Sequence, residues 1–197
     1  FNPEDFYADE DVVITISHMG YIKRTALAEY KLQNRGGIGT KGSTTRDEDF
    51  IEHIYVANMH STMLFFTRNG KCFWLKVYEI PEGSKTSKGR AIQNVINIEN
   101  EDKVCAYINV KNLNDEEYIN SHYIVLGTKR GIVKKTTLEA YSRPRTNGVY
   151  AITIKEGDEL LEAMMTDGNS QILIAGHDGR CVRFNEEDAR AIGRVAA

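Results

Sequence analysis

The stretch from Lys31 to Gly42, KLQNRGGIGTKG, packs glycines and basic residues densely enough to hold an anion. Gly37, Gly39 and Gly42 make a G-x-G-x-x-G, which between a strand and a helix lays a dinucleotide pyrophosphate on the helix N-terminus. The residues that follow, STTRDEDF, have no apolar stripe at helical spacing, so the helix that chemistry needs is missing. A nucleotide P-loop fails as well, because Ser43 stands after Gly42 where the phosphate-binding lysine belongs. The serious competitor is a flexible glycine turn with incidental charge, and only the rest of the chain decides.

The other residues with chemical potential point away from catalysis. Cys72, Cys105 and Cys181 form no C-x-x-C pair, and an odd cysteine number argues against a disulfide framework, so we expect a reducing cytoplasm. The histidines lack metal-ligand spacing, and His18 and His177 fall beside turn glycines as polar turn residues. At 197 residues, 41% hydrophobic and 27% charged, the chain is long enough and apolar enough to fold around a sizeable core. No run of eighteen apolar residues predicts a membrane span, and the first dozen residues are acidic where an export signal would be basic and then apolar.

The elements that must position any site come from an internal repeat. VVITISHMGYIKRT, MLFFTRNGKCFWLK, IVLGTKRGIVKKT and QILIAGHDGRCVRF each run from a β-branched and aliphatic stretch through a polar turn to a glycine, then into a second strand carrying basic residues. The glycines are Gly20, Gly70, Gly131 and Gly179, and we read four β-hairpins, with Asn69-Gly70 and Asp178-Gly179 the clearest turns. The second residue after each glycine, Ile22, Cys72, Val133 and Cys181, is compact and apolar, which explains two cysteines as core filling. The fourth is Arg24, Trp74, Lys135 and Arg183; strand alternation puts it on the same face, so a bulge, twist or edge must turn the cation outward. Leu27, Val77 and Leu138, then Tyr30, Ile80 and Tyr141, continue the register as packing residues rather than nucleophiles. Repeats of this size with four strands each are propeller blades, and we place them at 12–62, 63–123, 124–170 and a truncated 171–197. The chain stops inside its fourth repeat, so we expect a piece of a longer protein.

The net charge of −3 hides a segregation. Lys23, Arg24, Lys31, Arg35, Lys41 and Arg46 stand against Glu29 alone; Lys129, Arg130, Lys134, Lys135, Arg143 and Arg145 stand against Glu139 alone. Lys71, Lys76, Lys85, Lys88 and Arg90 form a weaker second group, while acid gathers at Asp47, Glu48, Asp49 and Glu52 and again over 155–167. A rim of spaced cations tracks a phosphate backbone without reading bases, whereas charge runs otherwise only solvate a face.

The first two hairpins and the heptad Gln33-Asn34-Arg35-Gly36-Gly37-Ile38-Gly39 resemble the C-terminal, DNA-wrapping domain of the gyrase A chains of bacterial DNA gyrases, which are type IIA topoisomerases. The family's heptad is glutamine, two basic residues, two glycines, lysine and glycine; Asn34 and Ile38 depart from it, and Lys41 follows just beyond. The resemblance covers essentially the whole chain. It implies an all-β, six-bladed β-pinwheel, propeller-like, with blades that exchange strands and about four of the six present here. It implies sequence-independent duplex DNA binding and wrapping that lets the parent enzyme introduce negative supercoils. No catalytic residue, metal or cofactor is expected in this chain; ATP and magnesium would serve the parent complex. Its partners would be double-stranded DNA, the rest of the gyrase A polypeptide and gyrase B in an A2B2 assembly, in the cytoplasm and without a membrane. The expected DNA-binding residues are Gln33, Asn34, Arg35, Gly36, Gly37, Gly39 and Lys41 of the heptad region, with Lys23, Arg24, Arg46, Lys85, Lys88, Arg90, Lys129, Arg130, Lys134, Lys135, Arg143, Arg145, Arg180 and Arg183. The alternatives are the equivalent domain of topoisomerase IV, against which the near-complete heptad argues, a propeller-like protein-interaction module, and a nucleotide-binding enzyme using the glycine loop.

Overall fold

The structure, a computed structural model, describes residues 2–34, 49–168, 171–175 and 181–185, the last two segments and 31–34 as backbone. It is all-β with antiparallel sheets and short helical turns. The chain divides into two compact units, Phe1–Thr62 with Leu75–Ile96 and Met63–Trp74 with Asn97–Ala197.

In the first unit β1 (Asp11–Ser17) and β2 (Tyr21–Ala26) form the hairpin around Gly20, followed by α1 (Leu27–Asn34). β3 (Ile51–Asn58) flanks β1. The fourth strand, β6 (Arg90–Ala91), comes from the next repeat and pairs Tyr21 with Ala91 and Ile22 with Arg90, giving the order β3-β1-β2-β6. β1 is buried from Val12 to Ser17 without alternation, because both faces are withdrawn from solvent; such strands read as continuous apolar runs.

β4 (Thr62–Thr67) and β5 (Lys71–Lys76), which lie in the second unit over Met63–Trp74, make the Gly70 hairpin. They are flanked by β7 (Val104–Val110) and by β10 (Val149–Tyr150), again a two-residue strand supplied by the following repeat, where Val149 pairs with Cys72. β8 (Tyr123–Thr128) and β9 (Val133–Thr137) make the Gly131 hairpin with β11 (Leu160–Thr166) beside β8. β12 (Gln171–Ala175) pairs with β13 (Cys181–Asn185), while Gly179 between them lies outside the described residues. The extra length of the second repeat contains α2 (Glu116–Ser121), whose N-cap Asp115 accepts from the Tyr118 N–H. The core here joins Leu64, Phe66, Cys72, Leu126, Leu138 and Tyr141, so Cys72 is packing, as its repeat position indicates.

The hairpin turns share one device. Gly20, Gly70 and Gly131 have φ of 87°, 88° and 92° and each donates its N–H to the residue three earlier. That earlier residue is Ser17, Thr67 or Thr128, whose hydroxyl accepts from the N–H just after the glycine at 3.1–3.2 Å. The positive-φ glycine closes the turn instead of standing at its centre, which is the wider loop that ends in a glycine bulge. After each of these three hairpins the chain makes a helical turn, α1 or the 3-10 turns Val77–Glu79 and Leu138–Tyr141, and Val77, Ile80, Leu138 and Tyr141 are fully buried there.

Candidate nucleic-acid interface

The cations on loops that feed an exchanged edge strand form the strongest candidate. In the first unit residues 81–89 run along β2 before entering β6. The Arg24 N–H donates to Pro81 O at 2.9 Å, the Gly83 N–H returns to Arg24 O at 2.9 Å, and the Thr25 hydroxyl donates to Gly83 O at 3.0 Å. Gly89, at φ 84°, lies so close to β2 that a Cβ there would sit 2.5 Å from Ile22 O. The loop leaves Lys88 and Arg90 exposed and Lys85 half-buried. Lys88 Nζ lies 4.0 Å from the Tyr21 ring centroid and Lys85 Nζ 4.7 Å from that of Tyr30, contacts worth about 0.5–1 kcal/mol at such sites that limit where the ammonium groups roam.

The second unit repeats the arrangement. After Tyr141 the loop carries exposed Arg143 and Arg145, closes with the Gly148 N–H on Arg145 O at 3.0 Å, and enters β10. Gly148, at φ 72°, abuts Phe73 and Cys72 O as Gly89 abuts β2. Arg143 is paired with Glu139 at 2.6 Å, an exposed bridge that a phosphate can displace at small cost because such pairs contribute roughly 0–1 kcal/mol.

Several expected contacts are placed elsewhere. Lys23 and Lys134 are 5% and 2% exposed. Lys23 Nζ donates to Ser84 O, Lys85 O and Ser87 O at 2.6–2.9 Å, and Lys134 Nζ donates to Ala151 O at 3.1 Å. Burial pushes the Lys23 ammonium down from its ordinary pKa, with Glu29 partly opposing. Lys135 is also buried, its Nζ 4.3 Å from the Tyr123 ring. These three lysines face protein, which corrects the expectation that they face solvent. Nor does a bulge turn Arg24 outward: β1 and β2 keep regular register through Ile14↔Arg24, and the Arg24 Nε–H donates to Ile80 O at 2.8 Å. Trp74 repeats this contact one hairpin later, its indole N–H donating to Tyr141 O at 2.9 Å. Position four after the glycine therefore links its hairpin to the tenth position of the next repeat.

Lys129 and Arg130 are exposed on the Gly131 turn beside the acidic 155–167 stretch, the Lys129 N–H donating to the Glu159 backbone carbonyl and the Arg130 N–H to Asp158 Oδ1. Burial raises the Asp158 carboxyl, but hydrogen bonds from Thr128 and from the Arg130 and Glu159 backbone outweigh it and hold the group below the usual carboxylate range. Gln33 and Asn34 end α1 and Arg183 lies on β13, described as backbone; Arg35, Gly36, Gly37, Gly39, Lys41, Arg46 and Arg180 lie outside the described residues. Lys71, which the sequence reading left out of the expected contacts, pairs with Glu99 at 3.5 Å and lies 5.3 Å from the ring of exposed Tyr150 on β10. Its position just after the turn glycine Gly70 was the available signal.

Comparison with known proteins agrees with this architecture. The family described as DNA gyrase C-terminal domain, beta-propeller, matches residues 11–58, 61–106, 122–167 and 170–197. The gyrase A chain of Haemophilus influenzae DNA gyrase is 42% identical over 193 residues, which is 98% of this chain and 21% of that protein. The chain thus spans about a fifth of the length of the curated relatives it matches. Among solved structures, a C-terminal domain of DNA topoisomerase IV superposes with TM-score 0.79 at 27% identity, covering 98% of this chain and 57% of that one. A DNA gyrase A C-terminal domain superposes with TM-score 0.52 at 20% identity, covering 94% and 75%. Among the described residues no helix is long and apolar enough to cross a membrane. With strand-exchanged hairpin blades, a family match over most of its length and this relative, the chain belongs to the DNA gyrase C-terminal domain family of β-pinwheels.

Proposed function

We propose that this chain binds duplex DNA without regard to sequence and bends it, so that a longer gyrase-type protein containing it introduces negative supercoils. One observation carries the reading: successive sheets present exposed cations on the same loop, the one feeding the exchanged edge strand, with Lys88 and Arg90 in one and Arg143 and Arg145 in the other. Cations without base-reading geometry bind phosphates and contribute no sequence preference. Bending a short duplex costs several kcal/mol by elastic estimates, of order 1–6 for a 20–30 bp site, and many dispersed phosphate contacts offset it. Partners would be double-stranded DNA, the remainder of the gyrase A polypeptide and gyrase B, in the cytoplasm. ATP and magnesium would act on other parts of that assembly, and no cofactor is proposed for this chain.

The test is a titration with duplexes of unrelated sequence at several salt concentrations. The expected result is log K falling linearly with log salt at about −0.9 per neutralised phosphate, five or more phosphates engaged, and equal affinity for each sequence. Absence of DNA binding, with salt-independent binding to a protein instead, would favour an interaction module. The similarity to a topoisomerase IV domain supports a second reading, in which the chain serves that enzyme. Gln33→Ala with Arg35→Ala in the full-length enzyme separates the two. Supercoiling falling far more than relaxation and decatenation supports the gyrase role, and equal loss of all three removes it.

A further inference from the structure

We propose that Lys23 is a positioning residue for DNA binding: its buried ammonium organises residues 83–90 so that Lys85, Lys88 and Arg90 are presented together, while Lys23 itself touches no DNA. This rests on the DNA-binding function proposed above and names a residue that acts on it indirectly.

The geometry is that of an internal anchor. Lys23 is 5% exposed, and all three of its N–H donors are taken by carbonyls of one short loop, Ser84 at 2.9 Å, Lys85 at 2.8 Å and Ser87 at 2.6 Å. Those three carbonyls converge on one cation. Ser84 O is reused by the Ser87 N–H at 3.2 Å and the Ser87 hydroxyl at 2.9 Å, which curls the loop into a closed turn. Gly83 and Gly89 bracket the turn beside the Lys23 stem, where an added Cβ would sit 3.3 Å from Cδ and 3.1 Å from Cβ, while the contacts that leave it no room are the Ser87 hydroxyl at Gly83 and the Ile22 carbonyl at Gly89. Charge-assisted hydrogen bonds of this kind are roughly twice as strong as neutral ones, and three on one buried donor gather carbonyls that the loop's bonds to Arg24 and Thr25, at its start, do not reach. Arg90 follows at once on β6, where Ile22, the neighbour of Lys23, is its cross-strand partner. Lys23 thus sits beneath the loop that carries the first unit's exposed cations.

Lys23→Met in the full-length protein tests this, because methionine fills the stem and removes the donors. Three readouts decide. Trypsin cleavage after Lys85, Lys88 and Arg90 of the folded protein should rise at least tenfold while cleavage elsewhere is unchanged. DNA affinity should fall at least fivefold with a shallower log K against log salt slope. Combining Lys23→Met with Lys85→Ala, Lys88→Ala and Arg90→Ala should lose no more affinity than the triple alanine variant alone. Faster loop cleavage with unchanged affinity and slope would overturn the positioning role. A triple alanine variant that binds DNA like the unaltered protein would instead remove the DNA-binding role of this loop, and the cleavage readout would still report whether Lys23 holds it. If Lys23→Met fails to fold, Lys23→Gln, which keeps a polar but shorter and uncharged side chain and withdraws the ammonium from the three carbonyls, should shift the same three readouts in the same direction; no shift in a folded Lys23→Gln protein overturns the proposal.

Discussion

Replacing Lys134 with glutamate separates a structural cation from a DNA contact. The side chain is 2% exposed and its Nζ donates to Ala151 O, the carbonyl of a buried residue whose own N–H is held by Gly70 O at 2.7 Å. Glutamate would place an anion against a carbonyl oxygen in the same space. Leaving a charge uncompensated inside a protein costs about 3–5 kcal/mol. For a chain of this length each kcal/mol lowers the melting temperature by about 2–4 °C, so Lys134→Glu should lower it by about 10 °C or fail to fold. Lys134→Met keeps the stem, loses the hydrogen bond and no longer buries a charge, for a cost of about 1–2 kcal/mol. Arg145→Glu, at an exposed position, should stay within roughly 0.5 kcal/mol. Thermal unfolding followed by circular dichroism at fixed salt ranks the three. A Lys134→Glu melting temperature equal to that of Arg145→Glu would refute the placement of Lys134 inside the sheet.

Three further outcomes follow from the same geometry. Gly20→Ala meets nothing within 4 Å and should cost only the positive-φ strain, about 1 kcal/mol, whereas Gly89→Ala also drives Cβ into Ile22 O and should cost clearly more; denaturant midpoints compare them. Trp74→Phe keeps the ring in place but removes the donor to Tyr141 O, and chemical denaturation should register a loss of about 1 kcal/mol. The hydrogen bond from Lys76 at 2.7 Å holds the Glu4 carboxyl below its ordinary pKa, outweighing burial, so the stability it contributes is present above the unfolded value of 4.5 and is lost as pH falls through the lower folded value. Lys76→Met should therefore flatten the acid limb of stability against pH below about 4.5, and an unchanged limb would contradict the pairing.

The hairpins are legible in the sequence because a positive-φ glycine after a polar turn leaves a signature at Gly20, Gly70 and Gly131 that few other residues can supply. The compact residues two positions later are equally readable: Ile22 and Cys72 are fully buried, and repetition is what separates a packing cysteine from a reactive one. What escapes is the fate of the cations. Alternation assumes one wet face, but β2 and β9 are withdrawn from solvent on both, so Lys23, Lys134 and Lys135 turn inward onto carbonyls and a tyrosine ring. The edge strands β6 and β10 are also invisible, since two residues have no periodicity and their identity depends on a partner in the preceding repeat. The contact from Arg24 to Ile80 O and from Trp74 to Tyr141 O is hidden for a related reason: the shared feature is an N–H donor, carried by chemically unlike residues.

The most direct measurement compares two charge-neutralised variants in DNA titrations across salt. One carries Lys88→Ala, Arg90→Ala and Arg145→Ala on the loops that feed β6 and β10; the other carries Lys129→Ala and Arg130→Ala on the acid-flanked Gly131 turn. Wrapping through the edge-strand loops predicts that the first makes the slope of log K against log salt less negative by about 2.7, at roughly 0.9 per lost contact, while the second leaves it nearly unchanged. A slope change confined to the Lys129 and Arg130 variant would contradict it.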